Sequence, residues 1–226
     1  MHSRVAKHMQ QFDPSHDMNH VDRVVRLANV LARKVAEIEP VDLKVVEVAA
    51  LLHDVNDHKY QGHNGESVMK QCLKESDLSS DQQELVIKIA DNMSYSTEKK
   101  LRAAGEWGDW HEECIELHIV QDADRLDAIG AVGILRVAAY SGAKGRPLAG
   151  TKSGDPEDAM THFGEKLLSL HTTMKTPPGQ ELGQKRTKIM YEFLSSMMSE
   201  LTLADFGERS QELKDIENAL TERWWW

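Results

Sequence analysis

The run Val45-Val46-Glu47-Val48-Ala49-Ala50-Leu51-Leu52-His53-Asp54 is almost wholly apolar and then ends on an imidazole beside a carboxylate. Pro40 stands ahead of it, and a polar stretch over 56–65 follows. The spacing predicts a helix over about 41–53 that is apolar nearly all round, which places it at the centre of a core. Histidine and aspartate at its end are both good ligands for a divalent cation. The mixed nitrogen and oxygen set suits the borderline ions Mn, Fe, Co, Ni and Zn. Adjacent residues point about 100° apart on a helix, and both reach one ion when the helix end lies beside it.

Working outward, residues Val21, Val24, Val25, Ala28, Leu31, Ala32 and Val35 fall at helical spacing, with N-cap chemistry at Ser15-His16-Asp17 just before them. His20 begins that helix, and its apolar face would pack on the 41–53 helix. Further helices are predicted over about 66–73, 82–93, 112–127, 156–171 and 181–201, with a short amphipathic one over 210–222. Residues 107–110 read as a turn or loop. Gly130 and Gly133 mark a close approach or break before 134–139, and the Gly-rich basic stretch 141–155 reads as a long loop. No alternating strand pattern of useful length occurs, and no internal repeat. The expectation is a single all-α domain.

Composition narrows the function. The chain has 226 residues and a net charge of −10, which is poorly suited to sequence-independent binding of duplex nucleic acid. Its two cysteines, Cys72 and Cys114, form no CxxC and no disulfide framework. The apolar runs 45–52 and 129–139 are each interrupted by a charge and are too short to span a bilayer. No apolar signal segment opens the chain. A cytoplasmic protein without membrane association is expected.

A third and fourth ligand must come from elsewhere. Gln121-Asp122-Ala123-Asp124-Arg125-Leu126-Asp127 places three carboxylates in an otherwise core-like helix. Asp124 and Asp127 share a face. Carboxylates near a core are costly without a cationic partner.

The order His20, His53-Asp54, Asp124 resembles the H…HD…D signature of the HD-domain metal-dependent phosphohydrolase superfamily. The flanks agree: His16-Asp17-x-x-His20-x-x-Arg23-Val24, Ala49–Asp54 and Gln121–Ala131. Together with His162-Phe163, Lys166-Leu167-Leu168 and Met174-Lys175-Thr176, they are similar to a branch of small HD hydrolases that includes nucleotide pyrophosphohydrolases. The resemblance covers most of the chain. It implies one HD domain over 1–226, with an HD core at about 16–140 and a C-terminal helical extension at about 155–222.

That resemblance also implies the site. His20, His53, Asp54 and Asp124 would bind one divalent transition metal, with Mn favoured and Co, Ni, Fe, Zn or Mg admitted. Asp122 competes with Asp124 for the fourth place, and Asp124 is preferred for its Ala-Asp-Arg-Leu setting. Asp57 or Asp127 would take or relay a proton from water. Arg23, Lys59, Arg125, Lys144 and Arg146 would offset charge on substrate phosphates. Asp122, Asp127 and His63 have the alternative of orienting or supplementing the ligands. The implied substrate is a small phosphate ester or anhydride, a nucleotide first. Nothing in the sequence excludes a homo-oligomer.

One departure is informative. Two-metal relatives carry further histidines between the HD pair and the last aspartate. The segment Ala90-Asp91-Asn92-Met93-Ser94 has none. That argues for one metal and against the diiron oxygenase branch. The rival readings are a non-catalytic nucleotide or metal sensor, that oxygenase, and a partner-binding module using Trp224-Trp225-Trp226.

Overall fold

Capping side chains and apolar stripes set the helices. In the computed structural model, residues 1–10, 17–55, 65–148, 159, 163–164 and 166–201 are described. They form α1 (His2–Met9), α2 (Met18–Val35), α3 (Leu43–Leu52), α4 (Gly65–Lys74), α5 (Ser80–Asn92), α6 (Tyr95–Ala104), α7 (Asp109–Glu113), α8 (Ile115–Asp127), α9 (Gly130–Ala143), a 3₁₀ segment (Leu167–Thr173) and α10 (Pro177–Leu201). No strand occurs among the described residues, so the all-α expectation holds.

Asp17 starts α2 by accepting the His20 backbone N–H. Asp42 starts α3 by accepting those of Lys44 and Val45. Ser79 and Gln82 close a reciprocal capping box on α5. Each such cap contributes about 1 kcal/mol by satisfying an otherwise orphaned donor.

The core forms where α3 meets α2, α5 and α8, with α2 also lying on α8. Val24, Ala28 and Leu31 of α2, Val46, Ala49 and Leu52 of α3, and Leu117, Val120 and Ala123 of α8 are all sealed from solvent. Burying a side chain such as Leu52 stabilises the fold by about 2 kcal/mol. The same packing brings the first turn of α2, the last of α3 and the last two of α8 to one end of the core.

Several boundaries differ from the sequence reading. Residues 95–104 and 109–113 are helical, so Trp110 lies in a helix and not in a plain turn. The expected 112–127 helix is broken at Cys114, whose extended backbone separates α7 from α8. Helix α9 starts at Gly130 (φ 78°) and runs through Gly133 to Ala143, so the stretch 141–155 is not loop throughout. Pro177 and Pro178 open α10 instead of preceding it, because proline suits a first helical turn whose N–H groups lack partners anyway. Residues 167–171, expected as the end of the 156–171 helix, lie in a 3₁₀ segment. The expected helix over 210–222 and the Trp224–Trp226 tail lie outside the described residues. No single helix among the described residues is long and apolar enough to cross a membrane.

Candidate metal centre

His20 leaves the first turn of α2, and His53 and Asp54 follow directly on α3. Their three facing atoms, His20 Nε2, His53 Nε2 and Asp54 Oδ2, stand 3.3 Å from one another on every edge. Asp124 of α8 adds Oδ1, 3.6 Å from the His20 nitrogen and 3.9 Å from that of His53. Ligand atoms bound at about 2.1 Å to one cation lie about 3.0–3.4 Å apart, so the triangle has the size of a coordination face. His20, His53 and Asp54 form a cluster that could hold a metal ion.

The proton inventory points the same way. His53 Nδ1 donates to the Ala50 carbonyl at 2.8 Å, and a carbonyl can only accept. His20 Nδ1 donates to Asp127 Oδ2 at 2.7 Å. With Nδ1 committed in this way, an unprotonated ring presents its Nε2 lone pair toward Asp54. That carboxylate oxygen is buried and has no hydrogen-bond partner. Two lone pairs and an anionic oxygen repel one another unless a cation or a proton lies among them. Burial opposes charge on His53, but Asp54 and Asp124 outweigh it and push the imidazole up to about 9. Burial likewise opposes charge on Asp54, yet His53 and His20 hold it well below the usual carboxylate range. The cluster is built for positive charge.

Behind it lies Asp127, 2% exposed. Besides His20, its carboxylate receives Arg23 Nε at 2.7 Å, Arg23 Nη2 at 3.0 Å and Arg136 Nη1 at 3.1 Å. Burial would raise its pKa, but the bonds from His20 and Arg23 hold it far below the ordinary value. A carboxylate held in this way is placed to orient His20, one of the roles expected for it. Arg23, expected at substrate phosphates, stands next to His20 but spends two of its donors on Asp127.

Asp122, the rival fourth ligand, is engaged elsewhere. It accepts the backbone N–H of Lys175 at 2.9 Å, that of Thr176 at 2.8 Å and the Thr176 hydroxyl at 2.7 Å. Burial lifts its pKa, and these donors only partly offset that. It ties α8 to the entrance of α10.

Three residues expected at the substrate phosphates have other surroundings. Arg125 is 2% exposed and is paired with Glu98 and the Thr173 carbonyl. One residue beyond Asp124, it points about 100° round the helix. Lys144 and Arg146 stand beyond the end of α9, near Tyr140. Lys144 is two turns, about 12 Å along the axis, past Arg136. Asp57, Lys59 and His63 lie outside the described residues.

Sequence reasoning missed Arg136 and Arg186. Arg136 had a visible signal, a lone charge in an apolar helix. Arg186 donates to the Leu126 carbonyl, and its side chain lies 3.0 Å from where a Cβ on Gly130 would stand. Nothing in α10 alone announces that contact.

Two histidines and two aspartates from three core helices, the first backed by a buried aspartate, define the class of fold and site. Residues 18–129 match the HD domain family. Over 188 residues the chain is 37% identical to the uncharacterized protein YpgQ of Bacillus subtilis, spanning 82% of this chain and 84% of that one. The crystal structure of Bacillus subtilis YpgQ in complex with ADP matches with a TM-score of 0.69 and 31% identity, over 88% of this chain and 97% of that one. An HD-superfamily hydrolase from Bacillus thuringiensis matches with a TM-score of 0.67 and 31% identity, over 88% and 93%. The chain belongs to the HD-domain family.

Proposed function

We propose that the protein is a metal-dependent phosphohydrolase that cleaves a phosphate ester or anhydride, with a nucleotide as substrate. The observation that carries this reading is Asp54 Oδ2, buried without a hydrogen bond and 3.3 Å from two imidazole nitrogens. A cluster that demands positive charge, on a fold whose relatives include an HD-superfamily hydrolase, fits a resident divalent cation. His20, His53, Asp54 and Asp124 would hold it. Such an ion supplies Lewis acidity toward a phosphoryl oxygen and toward water.

The chain's own groups do the rest. Asp127 fixes the tautomer and orientation of His20. Arg23 and Arg136 keep Asp127 ionised, and Arg23 sets positive charge beside the cluster for a phosphate oxygen. Asp57, three residues beyond Asp54, is assigned to take the proton from attacking water, and Lys59 to meet substrate phosphate. The ADP complex of the YpgQ relative supports a nucleotide as the substrate class.

The test is phosphate and pyrophosphate release from a nucleotide panel, with Mn, Co, Ni, Mg or Zn added back after chelation. Release that needs a metal and disappears in the His53→Ala/Asp54→Ala protein supports the reading. Metal-bound protein that turns over nothing would favour a sensor.

A further inference from the structure

We propose that the cleft between α6, α8 and the 3₁₀ segment is a second binding site, for a small phosphate-bearing dianion. The proposal is independent of the hydrolase reading. The cleft encloses about 580 Å³ and lies on another side of α8 from the metal centre. His118 and Arg125 face it, seven residues apart and so on one face, whereas Asp124 and Asp127 look toward His20.

Charge identifies the ligand class. Four cations line the cleft, Lys99, Arg102, Arg125 and Lys175, against two carboxylates, Glu98 and Glu112. Two positive charges are left over, in a chain whose net charge is −10. Glu98 is shared three ways. Its Oε1 meets Arg102 Nε at 2.9 Å and Lys175 Nζ at 3.1 Å, and its Oε2 meets Arg125. The Lys175 ammonium has three donors and, among the described residues, Glu98 as its ion-pair partner, and it makes no well-formed hydrogen bond.

The cations are also held in place. Lys175 Nζ lies 4.3 Å and Arg102 Cζ 4.8 Å from the Trp107 ring centroid. Buried Arg125 and half-buried Lys175 make a cationic floor, and Arg102 and exposed Lys99 form the rim. The network retains an excess of positive charge beside an open cavity.

A phosphate monoester carries close to two negative charges at neutral pH, which matches the excess. The volume falls within the range of small-molecule sites and exceeds what bare phosphate needs. An organic phosphate, its body along Tyr95 and Met174, fits both constraints.

The test is calorimetric titration of ribose 5-phosphate, and separately of inorganic phosphate, into chelated full-length protein carrying His53→Ala and Asp54→Ala, which removes the metal centre as a competitor. Saturable binding is expected, tighter for the ester. It should weaken about tenfold or more with Lys99→Glu or with Lys175→Met, the loss of a charge-assisted contact. Lys99 is exposed, so its variant reports on binding even if Lys175→Met fails to fold. Inorganic phosphate with the same lysine dependence supports the site as well. No saturation by either probe up to about 10 mM, or affinity unchanged within about twofold in every variant that folds, overturns the proposal.

Discussion

His20 Nδ1 and Asp127 Oδ2 are 2.7 Å apart although they lie 107 positions apart in the chain, and both are sealed from solvent. This bond turns the other nitrogen of His20 toward Asp54 and Asp124. It makes the packing of α2 on α8 a determinant of the candidate metal centre.

Asp127→Asn keeps an acceptor for His20 but removes the charge that makes it a stronger ligand. Divalent metal affinity should fall about tenfold, within the range seen for groups that orient metal ligands. Asp127→Ala also leaves Arg23 and Arg136 without their shared carboxylate and should cost about 3 kcal/mol of stability. Chelator competition and urea unfolding measure the two effects. Unchanged affinity in both variants would remove Asp127 from the site.

Asp122 and Asp124 should fail in different ways. Asp124→Asn should weaken metal binding and leave the unfolding midpoint of the metal-free protein nearly unchanged. Asp122→Ala orphans the donors of Lys175 and Thr176 and should cost about 2–3 kcal/mol with metal binding retained. Gly179→Ala should resemble it, because a Cβ there would fall 2.2 Å from Asp122 Oδ2. The reverse pattern would make Asp122 the ligand.

Glu98 gives the protein an acid-labile element. Burial works against its charge, but Arg125, Arg102 and Lys175 outweigh that and lower its pKa to about 2, from an ordinary 4.5. A depressed carboxylate pKa means stability that is present above about 4.5 and is lost as pH falls toward 2. After allowance for solvent screening, about 2 kcal/mol should go over that window. Glu98→Gln should be less stable at neutral pH and flatter across the window. A wild-type curve already flat there contradicts the assignment.

A bound ion should also stabilise the fold. At a free concentration one hundred times its dissociation constant, the gain is about 2.7 kcal/mol. Chelation should therefore lower the thermal midpoint of the native protein, and should leave that of His53→Ala/Asp54→Ala where it was.

Much of this architecture could be read from the chain because it rests on local pattern. The apolar run ending in His53-Asp54 marks a buried helix end, and the spacing of Val21, Val24, Ala28 and Leu31 marks the face of α2 that packs on it. The charged partners were less legible. Asp127 is adjacent in type and position to Asp122 and Asp124, and only the rotation of α8 sends one to His20, one to the cation cluster and one to the start of α10. Arg125 is expected at the substrate phosphates of the metal centre, yet one residue of helical rotation after Asp124 turns it away from that centre to Glu98. Arg136 and Arg186 act through contacts between α8, α9 and α10. No periodicity within one helix encodes them.

Equilibrium titration of Mn²⁺ into chelated protein, beside the His53→Ala/Asp54→Ala protein, addresses the central claim most directly. The expected result is one saturable site per chain, lost in the double variant. No saturable binding by the native chain, or equal binding by both proteins, would contradict a metal centre at His20, His53, Asp54 and Asp124.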